Sequence, residues 1–152
     1  MHTMKKTLRY TIIIVAAAAV AACCPCRYAR KNPKPLAGTT WQLAQLSGID
    51  MQCDPGTFEI TFGINGRLTG VGSCNKFNAP YSVTPSRAID IDTIVSTRRY
   101  CPLSEREQRL FRELDDATHY EIDGSMLMLL NNGEIRAIFT APAATAAPAE
   151  SK

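Results

Sequence analysis

From Thr40 onward the chain alternates apolar and polar positions with a period of two, and this rhythm breaks once for a run with helical spacing. Trp41 and Leu43 alternate with polar or small neighbours over Thr40 to Leu46, which predicts an opening strand with the sole tryptophan facing inward. Phe58, Ile60 and Phe62 alternate with Thr57, Glu59 and Thr61, the mark of a strand covered on one face. Gly63-Ile64-Asn65-Gly66 then predicts a turn, and Arg67 to Val71 a returning hairpin partner. The aromatics Phe77 and Tyr81 bracket Asn78-Ala79-Pro80, which reads as a further turn. Tyr81 and Val83 predict a short strand ended by Pro85, and Ile89, Ile91 and Ile94 continue the alternation with Asp90 and Asp92 on the other face.

Pro102 stops this pattern. Ser104-Glu105-Arg106-Glu107 has the form of a capping box, in which the Ser104 hydroxyl accepts from the Glu107 amide. Leu110, Phe111, Leu114 and Ala117 follow at helical spacing, predicting one amphipathic helix from about Glu105 to Ala117 with its apolar stripe on the sheet. Tyr120 and Ile122 restore the alternation, Gly124-Ser125 turns the chain, and Asn132-Gly133 is a type I′ hairpin signal between Met126 to Leu130 and Ile135 to Thr140. A two-residue loop pairs Leu130 with Ile135, Met128 with Ala137 and Met126 with Phe139, and the expectation is that these six face the core. The fold class is therefore α+β, mainly antiparallel β, as a strongly twisted sheet or partly open barrel with one packed amphipathic helix.

The first residues follow a different rule. Lys5, Lys6 and Arg9 precede an unbroken apolar run from Ile12 to Ala22, and Val20-Ala21-Ala22-Cys23 closes it with small residues before a thiol. This is an export signal with a lipobox, assigned to residues 1–22. An apolar helix of about 16 Å is too short for a hydrocarbon core of about 30 Å. Lipidation at Cys23 is the expectation, and cleavage of an ordinary signal after Ala22 is the alternative. Several acyl chains would make the membrane a permanent partner. Residues 23–35, rich in Lys, Arg and Pro, read as a tether, and residues 142–152, rich in Ala and Pro, as a disordered tail. No acidic residue directly follows Cys23, which fits a bacterial cell-envelope protein on the outer membrane, facing the periplasm.

Charge changes the picture by its location. The whole chain carries +3, yet residues 1–38 hold seven Lys/Arg and no acid, leaving ten basic against fourteen acidic residues beyond, a net of −4. The folded part has no basic stripe for a phosphate backbone, so nucleic acid is not an expected partner.

The densest chemistry lies in Gly70-Val71-Gly72-Ser73-Cys74-Asn75-Lys76-Phe77. With Tyr100-Cys101-Pro102-Leu103-Ser104-Glu105, Glu107 and the helix that follows, it resembles the META domain of HslJ-type heat-shock lipoproteins, over residues 36–141. Ser73 departs from the pattern, which usually has a third glycine there. The resemblance implies a small β-rich domain with one substantial helix. It also implies a link to heat or envelope stress and to tolerance of novobiocin-type antibiotics, with no established reaction.

Three cysteines lie in the domain. In an oxidising compartment Cys74 with Cys101 is the preferred disulfide, tying the Gly-rich loop to the start of the helix and contributing about 3 kcal/mol by chain entropy. Cys53 with either is the rival. Cys24-Pro25-Cys26 belongs to the tether. These thiols with His119 make a poor zinc set, since the domain has no close Cys-x-x-Cys pair, and no metal is expected. Catalysis by Cys and His would depend on His119 once the signal carrying His2 is removed, and Asp90, Asp92, Asp115 and Asp116 read as solvated. No phosphate loop or dinucleotide fingerprint occurs, so no cofactor is expected.

The chain thus reads as a lipid-anchored, non-enzymatic envelope protein that binds a peptide, envelope protein or small molecule through Asn75, Lys76 and Asn78. For Asn75 a turn role, with its amide satisfying loop backbone, is the preferred reading. The alternative function is a periplasmic inhibitor or chaperone-like module presenting a rigid loop to an envelope hydrolase.

Overall fold

The computed structural model describes residues 32–141. The expected signal, the expected lipidation at Cys23, the expected tether up to residue 31 and the expected tail after residue 141 lie outside the described residues. Among the described residues ten strands and one helix follow in order: β1 Thr40–Leu46, β2 Ile49–Asp50, β3 Glu59–Phe62, β4 Arg67–Val71, β5 Lys76–Val83, β6 Ile89–Ile91, β7 Val95–Ser96, α1 Ser104–Asp115, β8 His119–Asp123, β9 Met126–Asn131 and β10 Glu134–Thr140. They form one antiparallel sheet in the order β6-β5-β4-β3-β1-β10-β9-β8, with β2 on β1 and β7 on β5.

The sheet is not closed, but its two ends meet at an isolated bridge between Ala88 and His119. There Ile89 N donates to Thr118 O at 3.0 Å and Tyr120 N to Arg87 O at 3.0 Å. The helix touches both β6 and β10, which stand far apart along the sheet. Leu110 and Leu114 are fully buried there with Trp41, Phe58, Phe62, Leu68, Leu127, Leu129 and Phe139. Trp41 satisfies its indole nitrogen by donating to Leu36 O at 3.1 Å, as a buried donor requires.

Two sequence expectations are corrected. Phe77 and Tyr81 lie on one continuous strand, β5, so Asn78-Ala79-Pro80 is no turn. Pro80 is tolerated because its carbonyl accepts from Asp92 N at 3.0 Å on the side where the neighbour changes from β6 to β7. Its missing N–H faces the same break in pairing, so no ladder bond is lost.

The second correction concerns the last hairpin. Its turn behaves as expected, with Asn132 at φ 50° and Gly133 at φ 86°, and Leu130 pairs with Ile135. Beyond that the register shifts by one, so that Ala137 meets Leu129, Ile138 meets Met128 and Phe139 meets Leu127. A bulge at Arg136 inserts the extra residue, and a one-residue slip moves the partner strand's other face inward. Leu127 and Leu129 fill the core, while Met126 and Ile135 are exposed.

Leu127→Ala or Leu129→Ala is therefore expected to lower unfolding stability by about 2–5 kcal/mol, and Met126→Ala by no more than about 0.5 kcal/mol. Denaturant titration checks this, and the reverse ranking would restore the regular hairpin.

Candidate functional site

Strand β4 ends at Val71 and β5 begins at Lys76, leaving Gly72–Asn75 as a tight crossing. Gly72 N donates to Asn75 O at 2.8 Å. A Cβ on Gly72 would overlap the Glu107 carboxylate, so glycine is needed there to admit a side chain arriving from the helix.

Glu107 is only 4% exposed. Its Oε2 accepts from Ser73 N at 2.9 Å, Ser73 Oγ at 3.2 Å, Asn75 N at 3.2 Å and Cys74 N at 3.4 Å. Its Oε1 accepts from Asn75 Nδ2 at 2.6 Å. Three successive backbone N–H groups thus converge on one oxygen, an arrangement that suits an anion. Burying a carboxylate without such donors would be prohibitive.

This explains why the expected capping box does not form. Ser104 is the first helical residue, Leu103 holds the N-cap position, and no side chain caps the helix. The Glu107 amide donates to Leu103 O at 3.2 Å, and the Glu107 side chain, which a capping box would turn back on its own helix, is committed to the loop.

Asn75, also 4% exposed, relays the constraint. Besides donating to Glu107 it donates to Arg99 O at 3.1 Å, and its Oδ1 accepts from Arg99 N at 2.7 Å and Thr97 Oγ1 at 2.8 Å. Both donors and both acceptor sites of the amide are used. Cys74 and Cys101 form the disulfide, with Cα atoms 6.4 Å apart and a sequence separation of 27. The rival pairing through Cys53 is excluded by this bond. Cys53 is a free, half-buried thiol, pushed up in pKa by burial and by Asp54 against the lowering effect of Arg106.

The three proposed binding residues therefore part company. Asn75 is locked inside, in the turn role preferred for it. Lys76 is exposed and Asn78 half-buried, and both line a groove of about 810 Å³ on the outer face of the sheet. Thr40, Thr61, Thr69 and Asn78 form a row there across β1, β3, β4 and β5. Arg67 donates to the Asn78 side-chain oxygen.

A second buried acid escaped sequence reasoning. Glu113, 6% exposed, accepts from Ser47 Oγ at 2.6 Å and from Arg136 Nε at 2.8 Å and Nη2 at 3.1 Å. The β10 bulge aims Arg136 at the helix. Burial by itself raises the Glu113 carboxyl, but the hydrogen bonds and charge of Arg136, with help from Ser47 and Arg112, outweigh it and leave its pKa lowered. The arginine is raised in return. The available signal was an acid on the helix's apolar side, three residues from Leu110 and next to Leu114.

His119 is exposed, with Nδ1 3.2 Å from Thr118 Oγ1. Asp90, Asp92, Asp115 and Asp116 are exposed as expected. No group of His, Cys, Asp or Glu among the described residues is arranged to hold a metal ion.

A small open barrel with one helix, whose Gly-rich loop is fastened to that helix by a disulfide and a buried acid, defines the class. The META domain family model matches residues 34–143, and the chain belongs to that family. The META domain is not a known enzyme family. No curated protein matches the chain. Among solved structures it is similar to a DUF4847 family protein from Bacteroides vulgatus, with TM-score 0.56 and 19% identity over 70% of this chain and 93% of that one. A protein from Burkholderia xenovorans determined by NMR matches with TM-score 0.53 and 19% identity, over 70% of this chain and 83% of that one. At this identity the likeness shows the fold.

Glu107→Ala is expected to cost at least about 3 kcal/mol, because several buried donors lose their acceptor, whereas Glu105→Ala on the exposed side should cost no more than about 0.5 kcal/mol. Equal, small effects in thermal unfolding would contradict the network. For Glu113, the folded carboxyl titrates below its unfolded value of about 4.5. Its contribution is therefore present above that pH and lost as pH falls through the lower folded pKa. The Glu113→Gln protein should lose less stability than the parent on acidification below about pH 5, and parallel pH profiles would refute the pairing.

Proposed function

We propose that this chain is a lipid-anchored cell-envelope protein, fixed at Cys23 and facing the periplasm, whose META domain binds a peptide, an envelope protein or a small molecule and catalyses no reaction. The observation that carries the reading is how the polar groups are spent. The most elaborate cluster, Glu107 with Ser73, Cys74, Asn75 and Arg99, is satisfied within the chain. Its product is a rigid loop beside an open polar groove. Reaction centres hold reactive groups free to meet a substrate, whereas this cluster has its groups committed to one another. Rigid presentation suits binding, because the ordering cost is met during folding.

Family membership supports a role in the cell envelope, and a part in heat or antibiotic stress is the finer form of the proposal. The second reading, an inhibitor or chaperone-like module, is favoured by the Cys74–Cys101 disulfide, which holds a loop in the manner of a preorganised ligand.

A deletion strain is expected to lose viability under heat or novobiocin, with recovery from the native gene and none from a Cys23→Ala gene. Mass spectrometry of the mature protein should show acyl mass on its first residue. Full recovery by the unanchored protein, or a mature chain without acyl mass, would remove the anchor from the account.

A further inference from the structure

The contacts of Asn75 and Cys74 share one destination. Asn75 holds the backbone N–H and C=O of Arg99 and the hydroxyl of Thr97, Cys74 holds Cys101, and Lys76 accepts from Thr97 N at its carbonyl while its own N–H donates to Thr97 Oγ1. The segment from Thr97 to Cys101 is thereby fastened at every second residue, Thr97, Arg99 and Cys101, while the side chains of Arg98, Arg99 and Tyr100 are left outside. Arg98 and Arg99 are exposed, and neither guanidinium has a hydrogen bond or ion pair among the described residues. Tyr100 is 95% exposed and Leu103 42%. Beside them lies a hollow of about 450 Å³, bounded by Thr97, Arg98, Arg99, Tyr100 and Gln108, with the half-buried ring of Phe111 also lining it.

Exposed aromatic and arginine side chains on a fixed backbone are the residue types that dominate binding surfaces. Left in water they contribute little to folding, while the disulfide and Asn75 fix the backbone that carries them. We propose that Arg98, Arg99, Tyr100 and the Phe111 hollow form a docking site for an extended peptide segment of another protein. That segment carries carboxylates for the two guanidiniums and an apolar side chain for the hollow. The charge is complementary, since Arg98 and Arg99 are free cations on a domain that is otherwise acidic beyond Gly38. Guanidinium groups pair well with carboxylates. A bilayer surface fits less well, because a flat array of headgroups cannot fill a concave hollow lined in part by an aromatic ring.

The assignment rests on the reading of the domain as a binding module, and it moves the contact surface from Lys76 and Asn78 to the neighbouring hollow, which shares Ser96 and Thr97 with their groove. The test uses the full chain, short synthetic peptides with a Leu or Phe flanked by Asp and Glu, the matching Asn and Gln peptides, and phosphatidylglycerol vesicles. Fluorescence anisotropy should show saturable binding of the acidic peptides that weakens as salt is raised. Binding should be about tenfold weaker for the amide peptides and for an Arg98→Ala/Arg99→Ala protein of unchanged melting temperature. Shifts in amide NMR signals should centre on residues 96–111. Absence of saturable peptide binding would overturn the site. So would binding that survives the arginine changes, or vesicle binding without peptide binding. Peptide binding lost with Lys76→Ala and kept with Arg98→Ala/Arg99→Ala would also overturn it, while leaving the binding function itself in place.

Discussion

The buried carboxylate of Glu107 is the constraint from which the rest of this structure follows. Placing an acid inside a small β domain is costly unless donors meet it from every side. Here Ser73, Cys74 and Asn75 supply backbone N–H groups, and Asn75 adds its amide. Those donors can converge only if the chain between β4 and β5 folds back on itself, and Gly72 leaves the space for it. The acid therefore dictates the loop, and the loop dictates the position of Asn75. Asn75 in turn dictates the course of the chain from Thr97 to the start of the helix.

The helix is consequently joined to the barrel by two unlike means. Leu110 and Leu114 supply apolar burial, which is strong but indifferent to small rotations. Glu107 at one end and Glu113 at the other supply directional bonds, to the Gly-rich loop and to Ser47 and Arg136 respectively. Fastened at both ends, the helix has one seating on the sheet. The disulfide lies beside the first of these fastenings and protects the same segment.

Much of the fold was legible because alternation is a direct consequence of a half-buried strand. Trp41, Ile60, Phe62, Ile89, Ile91, Leu110 and Leu114 all sit where their spacing put them, and Phe58 is buried too, though just before β3 with φ 51° and not on the strand. The META resemblance and the Cys74–Cys101 pairing were legible for a related reason, since two glycines, a cysteine and an Asn crowded into eight positions have few roles. What escaped the sequence was long-range. Nothing local in Glu-Ile-Arg-Ala marks Arg136 as a bulge, because the bulge answers to Glu113 on the helix. In the same way Ser104 and Glu107 satisfy a local capping rule that a distant loop overrides. Pro80 suggested a turn because its missing donor is visible in sequence, while the gap between β6 and β7 that makes it harmless is not. Each miss concerns a polar group whose partner lies far along the chain.

Backbone amide hydrogen exchange in the native protein probes the central claim most directly. The amides of Ser73 and Asn75, which donate to Glu107, and of Arg99, which donates to Asn75, belong to loops and would exchange quickly if those loops were ordinary. The account predicts that all three are protected to nearly the same extent as the core strand amides of β3 and β4. Exchange as fast as at the exposed hairpin tip around Gly133 would contradict it.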